Sequence, residues 1–266
     1  MRGELESDKI DWKKDSQSFD RVADDYDAYR PGYPGELVET ILARSGIPAG
    51  GRILEVGSGT GKATELFARH GFSMLCIEQG SSLVAVAAQK LKVFPGVELV
   101  TTRFEDWQEL AGEFDLVISA QAWHWIAKDV GYAKAARALK EGGWLAVFWN
   151  MYPDPKGEID DEIDQVYQER TPQLKPKLDY KVLIREREND IAASGWFGKV
   201  EVRRFPWSKQ FNTQQYLGLM NTYSDHLRLS EEKRKSLFEG VADAIDRHGG
   251  IIERPYVTVL YMAKKA

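Results

Sequence analysis

The chain has 266 residues, 43% of them apolar, with 11 Phe, 11 Tyr and 8 Trp, enough to bury a substantial core in one large α/β domain or two small ones. Its 36 basic and 41 acidic residues leave a net charge of −5, with no lysine or arginine run dense enough to neutralise several phosphates, so nucleic acid is excluded as the expected partner. No stretch approaches the roughly 20 apolar residues that cross a bilayer, and the opening MRGELESDKIDWKKDS is charged where a secretory signal has its apolar core, so no membrane role and a cytoplasmic setting are expected.

Residues 1–15 show no sustained periodicity and read as a flexible tail, leaving 16–266 as one domain. Phe19, Val22, Ala23 and Tyr26 follow the i, i+3, i+4, i+7 rule of a short amphipathic helix, stopped by Pro31. A second helix is predicted over 35–44, with Leu37, Val38, Ile41 and Leu42 inward and Gly46 and Pro48 closing it. Strands and helices then alternate: strands over 52–56, 73–78, 97–101, 114–119 and 144–149, and helices over 62–69, 82–91 and 128–140. Repeated β-α-β units imply a mainly parallel central sheet with helices on both faces, a Rossmann-like α/β fold. The single cysteine, Cys76, lies in the apolar run MLCI and reads as a buried structural thiol.

The rhythm breaks at Tyr152-Pro-Asp-Pro155, where a polar stretch carries a predicted helix near 158–169 and prolines at 172 and 176. A connection this long reads as a lid or a substrate-specific insertion. Further helices are predicted over 183–194, 213–223 and 230–247, and two more strands over 199–205 and 256–263. The core thus covers about 35–150 and 195–266, with lid elements at 16–34, 151–182 and 212–248.

The sharpest chemical signal is Ile53-Leu-Glu-Val-Gly57-Ser-Gly59-Thr-Gly61, an apolar strand running into a glycine-rich turn and a helix. Glycines there allow positive φ and close approach of a ligand, and the helix start presents unpaired N–H groups. A dinucleotide site wants G-x-G-x-x-G with the third glycine inside the helix. Here the pattern is G-x-G-x-G followed by Lys62, with Glu55 placed to repel a phosphate and attract a cationic amino group. The spacing favours S-adenosylmethionine over NAD, with an NAD-dependent oxidoreductase or a non-enzymatic cofactor-binding module as the alternatives. Glu78 ends the second strand, where a carboxylate either accepts both ribose hydroxyls or simply faces solvent.

These motifs, with Thr102-Arg-Phe104-Glu-Asp106-Trp, Phe114-Asp-Leu-Val-Ile-Ser-Ala-Gln-Ala-Trp-His-Trp125, Gly142-Gly143, the opening Phe19-Asp-Arg-Val-Ala23 and Tyr29-Arg-Pro-Gly-Tyr-Pro34, resemble the class I methyltransferases. Within these, the chain resembles the small-molecule branch of the methyltransferase type 11 family that contains the trans-aconitate methyltransferases, and it is broadly similar to the malonyl-carrier-protein methyltransferases of biotin synthesis. The likeness covers about residues 16–150 well and the last third weakly, through Thr222-Tyr-Ser224 and the final strand. It implies that Gly57, Ser58 and Gly59, with Thr60 and Gly61 behind them, line the methionine part of the cofactor, that Glu78 and Gln79 meet the ribose, and that Phe104 and Glu105 flank the adenine. The family commonly has an aspartate just before the adenine-flanking residue; Arg103 stands there, which shifts adenine recognition toward backbone contacts near Phe104.

Gln121 follows the fourth strand, where open parallel sheets present ligands, and is a candidate neighbour of the sulfonium. Tyr26 and Arg30 close the first helix; Arg30 either pairs a carboxylate of cofactor or substrate or is a surface residue at a helix stop. His124 either serves as a general base or lines the pocket. The predicted acceptor pocket contains Tyr33, Trp123, Trp149, Asn150, Tyr152 and Tyr223, whereas Trp125 is expected to pack beneath the cap. Methyl transfer is an in-line displacement needing alignment more than acid–base machinery, so neither a triad nor a metal cluster is expected. The expected reaction is methylation of a small molecule, a carboxylic acid by family likeness, by a monomer or homodimer.

Overall fold

The computed structural model describes residues 19–108, 110–153, 156–174 and 180–266. The tail at 1–15 and the prolines at 155 and 176 lie outside the described residues.

A 3₁₀ turn, Phe19–Val22, leads into α1 (Ala23–Tyr29), which stops where Pro31 removes a backbone donor. Helix α2 (Gly35–Ser45) ends on Gly46 in the left-handed conformation, φ 62°, as a glycine cap does. The alternating core follows: β1 (Arg52–Val56), α3 (Lys62–Ala68), β2 (Ser73–Glu78), α4 (Ser81–Leu91), β3 (Val97–Thr101), β4 (Phe114–Ala120), α5 (Lys128–Ala138) and β5 (Leu139–Met151). After it come α6 (Glu158–Arg170), α7 (Tyr180–Ala193), β6 (Glu201–Asn212), α8 (Thr213–Met220), the single turn α9 (Ser224–Leu227), α10 (Glu231–Arg247) and β7 (Ile251–Lys264).

Seven strands form one sheet in the order β3-β2-β1-β4-β5-β7-β6. The first five are parallel, and β7 runs antiparallel to both β5 and β6. Since side chains alternate along a strand, β1 sends Leu54 and Val56 to one face and Ile53 to the other. The first face packs Val117, Leu145 and Val147 against Tyr132 and Ala135 of α5 and Ile184 and Ile191 of α7. The second packs Leu116, Ile118, Ala146 and Phe148 against Leu37, Val38 and Ile41 of α2 and Ala63 and Phe67 of α3, and there Cys76 is fully buried. A third core lies under the outer part of β6 and β7, where Phe211, Ile252 and Tyr256 meet Leu237, Val241 and Ile245 of α10.

Three boundaries depart from expectation. Helix α5 ends at Ala138 rather than 140 because Leu139 pairs with Phe114, starting β5 early across an irregularity in the ladder. Strands β6 and β7 run well beyond 205 and before 256, as a two-stranded ribbon in which Phe211 faces Ile252. Pro206 and Pro255 break the sequence pattern there, but they sit in edge strand β6 and in β7 beyond the end of β5, where a missing donor costs no sheet bond. The helix expected over 213–223 is split: α8 opens with a reciprocal Asn212–Gln215 capping box and closes at Met220, and α9 begins a new turn at Ser224.

The chain before α2 is fastened to the sheet by buried polar bonds. Asn150 on β5, 3% exposed, donates through Nδ2 to Gly32 O at 2.9 Å and accepts from Thr258 Oγ1 at 2.6 Å. Tyr33 sets its ring edge-on to Phe148 at 4.9 Å. Replacing Asn150 with Ala removes the bond to the exposed Gly32 carbonyl and leaves the buried Thr258 hydroxyl, which still accepts from Trp207 Nε1, without an acceptor for its proton, at about 1–3 kcal/mol. The expected outcome is a matching fall in urea stability with faster protease cleavage in 19–34; cleavage at the wild-type rate would refute the tether.

Candidate functional site

At the carboxyl end of β1 the chain bends through Gly57, Ser58, Gly59, Thr60 and Gly61 into α3, with φ of 72°, 55° and 76° at the three glycines. Side-chain volume is forbidden at two of them: a Cβ on Gly57 would come within 2.3 Å of Ala122 Cβ, and one on Gly61 within 2.7 Å of Leu91 Cδ1. The bend is held from β2, where Ile77 O accepts from Gly57 N at 2.8 Å and Ser58 N at 3.2 Å. Glu78 accepts from Gly59 N through Oε2 and from Gly80 N through Oε1, both at 2.9 Å. Each of its oxygens keeps a lone pair for a further donor. Strand order reverses between β1 and β4, so their carboxyl ends diverge and leave a crevice. Gln121, on the β4 side, is the one described non-glycine residue with positive φ, 59°, held there by Gln121 N donating to Phe148 O and Asn150 N donating to Gln121 Oε1.

A pocket of about 420 Å³, its open mouth included, fills this crevice. Of the residues expected at the cofactor, Tyr26, Arg30, Glu55, Gly57, Ser58, Gly59, Thr60 and Gln121 line it, joined by Tyr33. Glu55 is fully buried; its Oε2 accepts from Thr64 Oγ1 at 2.6 Å, while Oε1 and the nearby Ser58 Oγ have no partner. Burial raises the Glu55 carboxyl to about 8, against the smaller lowering by the Thr64 bond. A buried acceptor without a donor beside a glycine bend fits the ammonium end of an amino-acid ligand.

Helix α1 closes one side. Asp27 lies between Lys90 Nζ, at 2.5 Å, and Lys62 Nζ, at 3.7 Å, bridging α1 to α4 and to the first residue of α3. Burial opposes ionisation of Asp27, but the Lys90 bond and the Lys62 charge outweigh it and hold the carboxyl below its ordinary value. Arg30 crosses to the C-terminal cap, donating through Nε to Thr222 Oγ1 and through Nη2 to Thr222 O, each at 2.7 Å. Its guanidinium lies between the rings of Tyr26, at 5.3 Å, and Tyr223, at 4.7 Å, with Nη1 3.4 Å from Tyr152 Oη. Among the described residues no carboxylate lies within ion-pair distance of it.

The remaining expected residues lie outside this pocket, on both faces of the sheet. Phe104 is 2% exposed and stacks on Trp107 at 6.0 Å, and Glu105 Oε1 accepts from Ala127 N, binding the loop before α5. Gln79 is exposed beyond Glu78. Trp123, expected in the acceptor pocket, is 5% exposed and packs between Phe104 and Tyr132 in the core, so it has no open face for a substrate. Asn150 is likewise engaged at both side-chain groups by Gly32 and Thr258. Trp149 donates from Nε1 to His124 Nδ1 at 3.1 Å, which occupies one imidazole lone pair and leaves the proton of the neutral ring on Nε2. Surrounding protein and the Arg187 charge lower the imidazole below its ordinary value, although the residue is exposed. A neutral ring with its proton on Nε2 presents a donor to the site rather than a base. Asp27, Thr222 and Arg187 escaped the reading of site residues; Thr222 alone left a trace, in Thr222-Tyr-Ser224.

Residues 53–143 match the family model described as a methyltransferase domain. An uncharacterized methyltransferase-like protein of Schizosaccharomyces pombe is 26% identical over 94% of this chain and 96% of its own length. A ubiquinone biosynthesis O-methyltransferase of Acinetobacter baumannii is 31% identical over 58% of this chain and 67% of its own. A solved methyltransferase structure from Anaeromyxobacter dehalogenans superposes with a TM-score of 0.62 at 22% identity, over 90% of this chain and 97% of that one. The chain belongs to the class I S-adenosylmethionine-dependent methyltransferases, and the oxidoreductase alternative falls with the dinucleotide spacing it required. No described helix is long and apolar enough to cross a membrane, and no described group of three or more His, Cys, Asp or Glu could hold a metal ion.

The raised Glu55 carboxyl makes a pH prediction. A carboxyl titrating higher in the folded state stabilises the fold fully below its ordinary value and loses that contribution as pH rises toward about 8. Thermal stability of the free protein is expected to fall across that window, and Glu55→Gln to flatten this component. Affinity for S-adenosylhomocysteine, whose ammonium needs the ionised carboxylate, is expected to rise over the same window in the wild type and to lose that rise in the variant. Parallel pH profiles of the two proteins would refute this.

Proposed function

We propose that the protein transfers the methyl group of S-adenosylmethionine to a carboxylate oxygen of a small organic acid. The observation that carries the acceptor class is Arg30, a half-buried guanidinium that lines the pocket, is walled by tyrosines and has no carboxylate among the described residues. An ammonium acceptor would be repelled there; a carboxylate would be attracted and oriented through two parallel N–H bonds. The likeness of its motifs to the branch containing trans-aconitate methyltransferases supports the same class.

Bound S-adenosylmethionine supplies an electrophilic methyl and a neutral thioether leaving group. Glu55 Oε1 and Ser58 Oγ take the amino-acid end, the glycine bend supplies the close backbone approach, and Glu78 faces the ribose. Arg30, with Tyr152 and Tyr223, would hold the acceptor carboxylate beside the pocket, and orienting two bound reactants can contribute about 7–11 kcal/mol. The attacking oxygen is already anionic, so no residue needs to remove a proton.

The test is methyl transfer from labelled cofactor to a panel of small acids, amines and phenols, alongside calorimetric titration with S-adenosylhomocysteine. Transfer to acids is expected, and Arg30→Met should lower kcat/KM for them about 10- to 100-fold, the loss of a charged hydrogen bond. Thr222→Val, which removes the Nε bond but keeps the bond to Thr222 O and the charge, should cost less. Transfer confined to amines overturns the acid reading, and cofactor binding without transfer to any acceptor points to a binding module instead.

A further inference from the structure

We propose that Arg187 and His124 form an oxyanion subsite on the face of β5 that carries Trp149 and Met151, taking a carboxylate or phosphate group borne by the acceptor at a distance from the reacting centre. Assigning the anion to the acceptor rests on the function proposed above; the subsite itself rests on its own geometry. Trp149 is the hub. Its ring lies 4.0 Å from Arg187 Cζ, and its N–H donates to His124 Nδ1 at 3.1 Å, so both groups are fixed by one buried indole. With Nδ1 occupied, Nε2 carries the proton on the far edge of an exposed ring, and Trp125, centred 4.7 Å from the imidazole, walls it.

Arg187 is poorly satisfied for a half-buried cation. Nη1 donates to Met151 Sδ at 3.4 Å, a weak acceptor, the guanidinium also bonds the hydroxyl of Tyr261, and Glu186 and Tyr132 face it. Among the described residues no carboxylate lies within ion-pair distance, and Asp190, one turn on, is taken by Lys128 at 2.7 Å. Burial lowers its pKa by more than the Tyr261 hydroxyl and the Glu186 charge raise it. Stacking on Trp149 offsets part of that cost, roughly 0.5–2 kcal/mol, and the five donors of the planar fork exceed what Met151 and Tyr261 accept, so N–H groups remain for an oxyanion. A guanidinium and an imidazole N–H, both donors, fixed on one indole and lacking an anion, are complementary to an oxyanion. Neither group would favour an amine.

The probes are inorganic phosphate and malonate, titrated separately into the full chain and followed by the His124 ring resonance and by tryptophan fluorescence. A saturable His124 shift with at least one probe is expected: malonate alone marks a carboxylate site, phosphate alone a phosphate site. Arg187→Met, which keeps the apolar stem, should weaken that binding about tenfold or more, as loss of a charge-assisted pair implies, with the affinity for S-adenosylhomocysteine unchanged. Should that variant fail to fold, His124→Phe, which keeps a ring and removes the N–H, should weaken the fluorescence-detected binding instead. No saturable shift with either anion, or binding unaltered in the variant that folds, overturns the proposal. S-adenosylhomocysteine titration of the wild type separately reports the cofactor reading, so the two can fail independently.

Discussion

The whole site depends on a steric constraint at the carboxyl ends of β1 and β4. Gly57 and Ala122 meet so closely that no side chain fits between them, and Ser119 Oγ, donating to Val56 O at 2.7 Å, ties the two strands just below that contact. Because β2 lies on one side of β1 and β4 on the other, the chain leaving each strand turns away from its neighbour, and the crevice opens above this contact. Positive φ at Gly57, Gly59 and Gly61 then lets the bend descend into the crevice while Ile77 O and Glu78 hold it from β2. Glu55, one residue before the strand ends, is thereby buried beneath the bend with one oxygen unsatisfied. An ionised carboxylate in that position is costly unless a cation arrives, so a cationic group entering the crevice would relieve a cost already present in the fold.

The second layer is fastened by polar rather than apolar contacts. Helix α1 is pinned through Asp27 to Lys62 and Lys90, and the segment after it through Arg30 to Thr222 and through Gly32 to Asn150. These bonds join parts of the chain far apart in sequence, and most lie within reach of solvent, where each contributes little alone. A cover built this way can detach from a rigid sheet without unfolding it, which suits a site that admits both a cofactor and an acceptor. The core beneath, with Ile53, Leu54, Leu116 and Val117 at 0% exposure, carries no such weakness.

How much of this was legible in the sequence follows from the range of the interactions. Strands β1, β2 and β3 match their predicted limits because apolar runs between glycine and helix signals are local facts. The ribbon extension of β6 and β7 was hidden by Pro206 and Pro255, whose tolerance depends on which strands lie beside them. In the site, the glycine bend, Glu55 and Glu78 were legible as positions from spacing, while Trp123 looked like a pocket residue because it follows the carboxyl end of the fourth strand; a 3₁₀ turn over 123–125 instead sends its ring into the core. Arg187 left no local signal, because its meaning arises only when α7 lays it on Trp149.

His124 shows how a single bond can decide between chemical roles. An imidazole just after the fourth strand invites assignment as a base, but that role needs a lone pair open to a substrate, and Trp149 takes the one on Nδ1. Moving the proton from Nε2 to Nδ1 would set two N–H donors, that of the imidazole and that of Trp149, against each other, and the neighbouring Arg187 makes the cationic form still less favourable. The ring therefore acts as a donor, consistent with an acceptor that arrives already ionised. An amine or phenol acceptor must lose a proton during transfer; a carboxylate has none to lose, so on the proposed reading the site needs only to attract, orient and exclude water, which is what two guanidiniums without carboxylates among the described residues, a set of tyrosines and a rigid glycine bend supply.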